Sequence, residues 1–457
     1  MAHNTKVVAD FNAPPVTATL ADFVTRHASR GWDDGVDREA HRTFMNWLGC
    51  AIGASRHPTA EAVLGAVQAL SPAPQAAVLG RRERVDMANA ALVNGITSHT
   101  FDFDDTHLKT IIHPAGPVAS AALALAEHRG ASGRDVIDAL VLGIDVACRI
   151  GNMLYPEHYD RGWHITGSTG MFGSAAACAR LLGLDVAQTT MALGIAASQP
   201  IGFREQFGSM TKPFHPGGAA RAGLMAALMA SHGYTASPRA IEAGRGMAQT
   251  TSTKCAWNEI TDALGERFEI SFNTYKPFAC GIVIHPSIDG CAQLARAHKL
   301  SAEAIERIDL AVHPLVLELT GKRTPQTGLE GKFSVYHAAA AGIIFGAAGE
   351  AEFGDAIVTR PDVIALRDRI HATVDAGIHE DQADVTVTCR DGRRLQLFVE
   401  HAIGSMERPM TDDDLARKFH GLVDPILGAE RADTLISRSM ALGTATDVRE
   451  LVGLACN

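Results

Sequence analysis

The chain has 457 residues, of which 46% are hydrophobic and 20% charged, a composition typical of globular proteins and unlike that of disordered ones. This length is enough for a large buried core and favours two domains. The 51 aspartates and glutamates outnumber the 41 lysines and arginines, which gives a net charge of −10. Since no run of basic residues is present, nucleic acid is not expected as a partner.

The amino-terminal sequence and the apolar segments argue against export and membrane insertion. "MAHNTKVVADFNAPPV" lacks the basic region and apolar core of a signal peptide. The weakly polar run that begins at Ala338 is too short to span a bilayer. The 8 cysteines occur singly, without CxxC or CxxH spacing, which fits a reducing compartment and offers no zinc or iron–sulfur signature. We therefore expect a cytoplasmic protein with no membrane partner and no metal.

Helical patterns dominate the chain to about residue 270. Apolar residues recur at helical spacing in four long segments, at 38–54, 85–101, 132–151 and 217–233. Asp86 and Ser132 occupy positions where N-caps belong. Because these segments are rich in alanine and glycine, we expect closely packed helices in a multi-helix core.

Strand patterns begin after residue 272. Residues 307–313 alternate like a strand, and 383–401 contain two alternating runs joined through Asp391 and Gly392, a dipeptide typical of hairpins. A helical pattern returns at 410–427, where Thr411 and Asp414 form a variant capping box.

These changes predict a mainly α fold with two domains. The helical domain is formed by both ends of the chain, residues 1–271 and 408–457, and a smaller α+β domain is inserted at 272–407.

The segment "FDFDDTHLKTIIHPAG", residues 101–116, combines acids, histidines, a lysine and threonines between apolar stretches. Asp102 and Thr106 are four residues apart and are predicted to share one face of a helix. His113 would then stand at the start of the next segment. A helix end followed by a histidine near a helix start explains the same residues without any site, so this motif alone decides nothing.

Three other segments carry similar residues. His164 precedes a segment of small residues that is typical of a closely packed helix start, and Lys212 and His215 stand ahead of a glycine-rich helix entry that favours an anion. Lys276 lies at the predicted domain junction, a common place for ligand clefts. The alternative is that each lysine is a solvated surface residue and that each Lys-Pro or His-Pro pair is a loop turn.

The ordered set of motifs resembles the MmgE/PrpD family. "DFDDT…HP", "GWH…G…G…GSAAAC", "MTKPFHPGGAARAG", "YKPFACG…HP" and "GKFSVYHAAAA" follow the family's order and approximate spacing from Ala40 to about Leu451. The resemblance implies a mostly helical domain with an α+β lid, a homodimer, and an enzyme without cofactor. It also implies an active site lined by six residues, which are Asp102, Thr106, His113, His164, Lys212 and Lys276.

The position of the family's site tyrosine is occupied differently here. Counting from the FS motif places it at His337, with Tyr336 immediately before, so either residue is a candidate proton donor. The departure leaves the identity of one proton donor open.

Family members act on small di- or tricarboxylates, and the resemblance implies a carbanion or enolate beside a carboxylate. Such chemistry needs fixed positive charge, which Lys212, Lys276, His113 and His164 would supply, and a histidine to move protons. Asp102 and Thr106 would orient a histidine or take part in proton transfer.

Three functions remain open from the sequence. The first is a cofactor-independent lyase, either a dehydratase or a decarboxylase, on a citrate-like substrate. The second is an epimerase of a dicarboxylate such as iminodisuccinate. The third is a non-catalytic carboxylate-binding protein, which would have little need of so many titratable groups.

Overall fold

The computed structural model of the chain describes residues 13–27, 31–70 and 72–457, and contains two compact units. The first unit comprises the chain up to Thr100 together with Asp104–Asn273 and Ala416–Asn457, and the second comprises Phe101–Phe103 and Thr274–Leu415. The predicted domain boundaries at 272 and 407 stay predictions, as does the function of the inserted part as a lid. The first twelve residues, on which the signal-peptide argument rests, lie outside the described part.

The first unit is built almost entirely of helices. Its helices up to residue 261 are α1 (Val16–Arg26), α2 (Asp34–Gly53), α3 (Pro58–Gln68), α4 (Met87–Thr100), α5 (Ala115–Arg129), α6 (Gly133–Leu154), α7 (Glu157–Asp160), α8 (Ile165–Leu182), α9 (Val186–Ala196), α10 (Thr211–Ser231), α11 (Met247–Thr251) and α12 (Asn258–Thr261). Three short strands accompany them, β1 (Ala76–Ala77), β2 (Arg84–Val85) and β3 (Asp105–His107), and β1 pairs antiparallel with β2.

The predicted helix starts in this unit are confirmed by their caps. The Asp86 carboxylate accepts a hydrogen bond from the backbone N–H of Asn89 at 3.0 Å, before the first turns of α4. Ser132 and Asp135 form a reciprocal capping box at the start of α6. Each cap satisfies backbone N–H groups that a helix start leaves without partners, so these local signals fix where α4 and α6 begin.

Helices α4 and α10 pack closely, as the glycine-rich sequence predicts. A Cβ atom added to Gly95 of α4 would lie only 2.6 Å from the Cα of Gly217 on α10, so neither position has room for a side chain. His99 lies one turn beyond Gly95, and His215 lies two residues before Gly217. The close approach therefore brings these two histidines toward the same region of the helical core.

The second unit combines a four-stranded sheet with helices. Its strands are β5 (Ile305–Val312), β6 (Ile370–Val374), β7 (Ala383–Cys389) and β8 (Arg394–Val399), and β4 (Asn273–Tyr275) lies at its entry. The sheet order is β6-β5-β7-β8, with β5 parallel to β6 and antiparallel to β7, and β7 antiparallel to β8. The strand predicted at 307–313 and the hairpin turn at Gly392, whose φ is 87°, are both confirmed.

The helices of the second unit are α13 (His285–His298), α14 (Pro314–Thr320), α15 (Gly328–Gly331), α16 (Val335–Phe345), α17 (Asp355–Val358) and α18 (Pro361–Arg367). Helix α19 (Asp412–Leu427) leads back to the first unit, where α20 (Ala429–Met440) and α21 (Arg449–Leu454) end the chain. The predicted capping box at the start of α19 is confirmed. The Thr411 hydroxyl accepts from the Asp414 N–H at 3.1 Å, and the Asp414 carboxylate accepts from the Thr411 N–H at 2.9 Å.

Three further observations concern the whole described chain. Among its helices, none combines the length and the apolar character that crossing a bilayer would require. Each of the eight cysteines carries a free thiol, and six of them are buried. The sheets are small compared with the helices, so the predicted mainly α class is confirmed, while the lid arrangement stays a prediction.

Candidate active site

The acidic segment that follows α4 is a turn and a short strand rather than a helix. The helix ends at Thr100, Asp102 adopts a left-handed backbone conformation with φ 51°, and Thr106 lies in β3. The prediction that Asp102 and Thr106 share a helical face is therefore wrong. The physical reason is local, since a residue with positive φ cannot continue a right-handed helix.

His113 is held by the segment that precedes it. Its Nδ1 lies 2.7 Å from the carbonyl oxygen of Asp105 and 3.3 Å from Oγ1 of Thr106, and its backbone N–H donates to Oγ1 of Thr166 at 3.1 Å. Because a carbonyl can only accept, Nδ1 carries a proton and the lone pair of the neutral ring is on Nε2. The predicted catalytic histidine is thus buried and fixed in one tautomer, with Thr106 beside it.

His164 and His215 form a direct imidazole pair. His164 is the N-cap residue of α8, as the small-residue pattern predicts, and its Nδ1 lies 2.8 Å from Nδ1 of His215. One ring must donate and the other accept at this distance, so at least one of the two is neutral.

Lys212 and His215 lie within α10 itself, in its first two turns, and not ahead of the helix as predicted. Pro213 allows this early start because the first turn of a helix needs no N–H donor at that position. The Lys212 side chain is buried, with its Nζ 5.2 Å from the centre of the Phe207 ring. The alternative of a solvated surface lysine is wrong here.

Three histidine rings converge in the first unit. The ring centroids of His99 and His113 are 4.7 Å apart, those of His99 and His164 are 5.8 Å apart, and those of His113 and His164 are 6.4 Å apart. One nitrogen from each ring lies within 4.8 Å of the others. Neutral imidazoles at this spacing suit a divalent transition-metal ion such as Zn²⁺, whereas the sequence predicts no metal. That absence of a metal stays a prediction.

His99 is the residue of this group that sequence reasoning missed. It lies inside the apolar pattern of α4, where a histidine is indistinguishable from a core residue, and its Nδ1 lies 2.8 Å from Oδ2 of Asp104. One signal in the sequence could have identified it: His99 lies in the last turn of α4, only five residues before Asp104 of the acidic turn.

Burial determines the charge state of these groups. Burial first, and then the neighbouring His215, His99 and Lys212, hold the pKa of His164 well below its ordinary value. Burial likewise lowers the pKa of His215 to about 4. Burial and then the charge of Asp104 raise the pKa of Asp105 to about 7. At neutral pH His164 and His215 are therefore neutral, and the Asp105 carboxyl group is close to its titration midpoint.

In the second unit, Lys276 and Asp102 form a buried ion pair. Lys276 Nζ lies 2.6 Å from Oδ1 of Asp102 and 3.1 Å from its carbonyl oxygen, and the two side chains are only 1% and 5% exposed. Their interaction holds the left-handed turn at Asp102 in place. The expectation of a surface lysine is wrong for Lys276 too.

Tyr336 and His337 lie next to each other at the start of α16. The Nε2 of His337 donates to the carbonyl oxygen of Glu352 at 3.0 Å, its Nδ1 is buried without a hydrogen bond in the described chain, and burial lowers its pKa to about 4. The Arg323 guanidinium lies 4.6 Å above the ring of Tyr336. Which of the two takes the tyrosine's role stays a prediction.

A third buried lysine, Lys332, belongs to the same "GKFSVYHAAAA" motif as Tyr336 and His337 and was not predicted as a site residue. Lys332 Nζ donates to the carbonyl oxygens of Phe101 and Ala279, each at 2.8 Å, and pairs with Glu350 at 2.6 Å. It links Phe101, at the start of the acidic turn, to Ala279 and Glu350 within the second unit.

Sequence comparison decides the family. Residues 18–260 match the MmgE/PrpD N-terminal domain, and residues 278–442 match the MmgE/PrpD C-terminal domain. The chain belongs to the MmgE/PrpD family.

Its relatives within the family include named enzymes. The chain is 27% identical to the cis-aconitate decarboxylase-like protein oryM of Aspergillus oryzae, over 96% of this chain and 97% of the relative. It is 26% identical to cis-aconitate decarboxylase of Aspergillus terreus, over 98% of each chain. It is 24% identical to 2-methylcitrate dehydratase of Salmonella typhimurium, over 81% of this chain and 82% of the relative.

The residues that the family resemblance implies are divided between the two units. The first unit brings together Thr106, His113, His164 and Lys212, and it adds His215. The second contains the Asp102–Lys276 pair, and separately Tyr336 and His337. Their catalytic and binding roles stay predictions.

Proposed function

We propose that this protein is a lyase that acts on a small citrate-like di- or tricarboxylate, by dehydration or decarboxylation, through a carbanion or enolate. The observation that carries the proposal is the buried group of imidazoles beside Lys212, in a member of the MmgE/PrpD family. The names of relatives, cis-aconitate decarboxylase and 2-methylcitrate dehydratase, support the substrate class.

The charge distribution supports a polyanionic substrate. The protein has a net charge of −10, yet Lys212 is only 6% exposed, next to neutral histidines. An ammonium group in such a water-poor pocket attracts a carboxylate more strongly than it would in solvent. It also stabilises negative charge that develops on the substrate in the transition state. Lys276 is the second candidate for carboxylate binding.

His113 is the proposed proton-transfer residue. Its Nδ1–H is held by the Asp105 carbonyl, so its Nε2 takes a proton from the substrate carbon or returns one to it. In dehydration the electron pair of the broken C–H bond forms the enolate, and hydroxide then leaves with a proton as water. In decarboxylation the electron pair of the broken C–C bond stays on carbon as CO₂ departs, and a proton is added to that carbon.

The alignments favour cis-aconitate as the first substrate to test. The decarboxylases of Aspergillus terreus and Mus musculus align over 98% and 92% of this chain. The dehydratases of Salmonella typhimurium and Cupriavidus necator align over 81% and 86%, with lower identity.

The experiment is incubation of the protein with cis-aconitate, 2-methylcitrate, citrate and iminodisuccinate in D₂O, followed by NMR. Loss of CO₂ identifies a decarboxylase and formation of a double bond identifies a dehydratase. Deuterium exchange without net conversion supports the alternative, an epimerase. Binding of these acids by calorimetry with no exchange and no turnover would refute the lyase and support a carboxylate-binding protein.

The same preparation tests the proposal that no cofactor takes part. Prolonged treatment with EDTA should leave the initial rate unchanged, with metal content measured before and after treatment. Loss of turnover on removal of a stoichiometric ion, and its return when that ion is added back, would refute this part of the proposal.

A further inference from the structure

We propose that His99, held by Asp104, is a second proton-transfer residue of this site and acts as the acid that complements His113. The inference rests on the proposed function and deepens it, because each lyase reaction above requires a proton to be delivered as well as moved. Nothing in the sequence motifs or in the relatives' names assigns this role to His99.

The His99 ring is anchored through one nitrogen and, among the described residues, makes no hydrogen bond through the other. Its side chain is fully buried, and its Nδ1 lies 2.8 Å from Oδ2 of Asp104, so this nitrogen donates to the carboxylate. The Nε2 atom is buried and makes no hydrogen bond within the described chain. Leaving such an atom without a partner is costly in a folded core. A substrate group is the natural partner for it.

The His99 ring lies close to two other imidazoles. Its centroid lies 4.7 Å from that of His113 and 5.8 Å from that of His164, and one nitrogen of each ring lies within 4.8 Å of the others. A small ligand bound among these rings is therefore within reach of both His113 and His99. Two imidazoles at this spacing can act on neighbouring atoms of one small molecule.

His99 and His113 share one neighbouring carboxylate, that of Asp104. Asp104 Oδ2 contacts His99, and Asp104 Oδ1 lies 3.6 Å from Nδ1 of His113. A carboxylate in this position stabilises an imidazolium that forms beside it. Either ring can thus carry the extra proton while the other stays neutral, which is what an acid and a base acting together require.

His164 and His215 are less suited to the acid role. Their mutual contact at 2.8 Å requires a neutral ring in the pair, and burial lowers the pKa of His164 further. No carboxylate contact of either ring is present in the described chain. His337, the sequence-derived candidate, already donates its Nε2–H to a backbone carbonyl.

In dehydration, His113 Nε2 takes the proton of the C–H bond, whose electron pair forms the enolate. The His99 imidazolium gives its Nε2 proton to the departing hydroxyl group, which leaves as water, and His99 becomes neutral. In decarboxylation, the same His99 proton is added to carbon after CO₂ departs. Exchange with solvent restores both rings.

The test compares His99→Asn with His107→Gln. The asparagine amide keeps an N–H at the position of Nδ1 for Asp104 but has no titratable Nε2. His107 is a matched control, since it is equally buried and its Nε2 lies 3.0 Å from the Glu269 carboxylate, a contact that glutamine can retain. For each protein, kcat and KM are measured from about pH 5 to about pH 9, together with the melting temperature.

We expect His99→Asn to lower kcat by about 10²–10⁴-fold with KM changed only a few-fold, and to abolish the decline of kcat at high pH. His107→Gln should keep the wild-type profile. The other titratable groups near His99 all remain in the variant, and they are Asp102, Asp104, His113, His164, His215 and Lys212. The loss of the alkaline limb is therefore specific to His99.

Several results would overturn the inference. One is an unchanged kcat in His99→Asn. Another is a kcat that is lowered by the same factor at every pH, since the loss of a merely structural histidine would leave the shape of the pH profile unchanged. If His99→Asn does not fold, Asp104→Asn replaces it and should move the alkaline limb to lower pH; an unmoved limb overturns the role of His99. Absence of wild-type turnover on every acid tested overturns the proposed function, and this inference with it.

Discussion

Asp105 makes a measurable contribution to the pH dependence of stability. Its carboxyl group is fully buried, and burial, followed by the charge of Asp104, raises its pKa from an ordinary value of 3.8 to about 7. Between these values the folded protein holds a proton that the unfolded chain has released. The free energy of unfolding therefore falls as pH rises through this range.

The size of this effect follows from the two pKa values. At about 1.4 kcal/mol per pKa unit, the complete shift corresponds to about 4 kcal/mol, of which about 2.5 kcal/mol is lost between about pH 5 and about pH 8. Asp105→Asn cannot ionise, and its carbonyl oxygen can still accept from the Ala115 N–H and from Nδ2 of Asn273, as Oδ2 does in the wild type. Between about pH 5 and about pH 8, the difference in the free energy of unfolding between the variant and the wild type should therefore shift by about 2.5 kcal/mol in favour of the variant.

Urea unfolding at fixed protein concentration and ionic strength, from pH 5 to pH 8, measures the difference. His158 and His215, whose pKa values burial lowers to about 4, make stability rise with pH between about 4 and 6.5, but equally in both proteins. The half-exposed Asp22, which pairs with Arg26 on the surface of α1, gives the control, and Asp22→Asn should differ from wild type by less than about 0.5 kcal/mol throughout. A difference between wild type and Asp105→Asn that stays constant with pH would refute the reasoning.

Three other predictions concern the site and the assembly. His113→Ala should reduce kcat by about 10²–10⁴-fold at an unchanged melting temperature, whereas normal kcat with lowered stability would make His113 a structural residue only. Lys212→Met should raise KM about tenfold or more and lower kcat only if the carboxylate contact strengthens in the transition state, which steady-state kinetics on both parameters decides. Light scattering at micromolar concentration should give about twice the chain mass of 48.4 kDa, and a fully active monomer would contradict the predicted homodimer.

Local sequence signals were sufficient for many of the secondary-structure elements. The caps at Asp86 and Ser132 and the hairpin turn at Gly392 depend on contacts within a few residues, so they could be predicted without knowledge of the fold. The start of α10 was predicted too late, because Pro213 looked like a loop residue, although the first turn of a helix accommodates proline.

The sequence also determined the family and the residue types from which a site would be built. Only the tertiary structure decided their environment, since burial and pairing depend on contacts between distant parts of the chain. Lys276 pairs with Asp102, 174 positions away, and His164 meets His215 across 51 positions. His99 shows the difference most clearly: in the sequence it is one more buried position of a helix, and only the return of the chain places Asp104 and His113 against its ring. Periodicity records which face of a helix is buried, but not what that face meets.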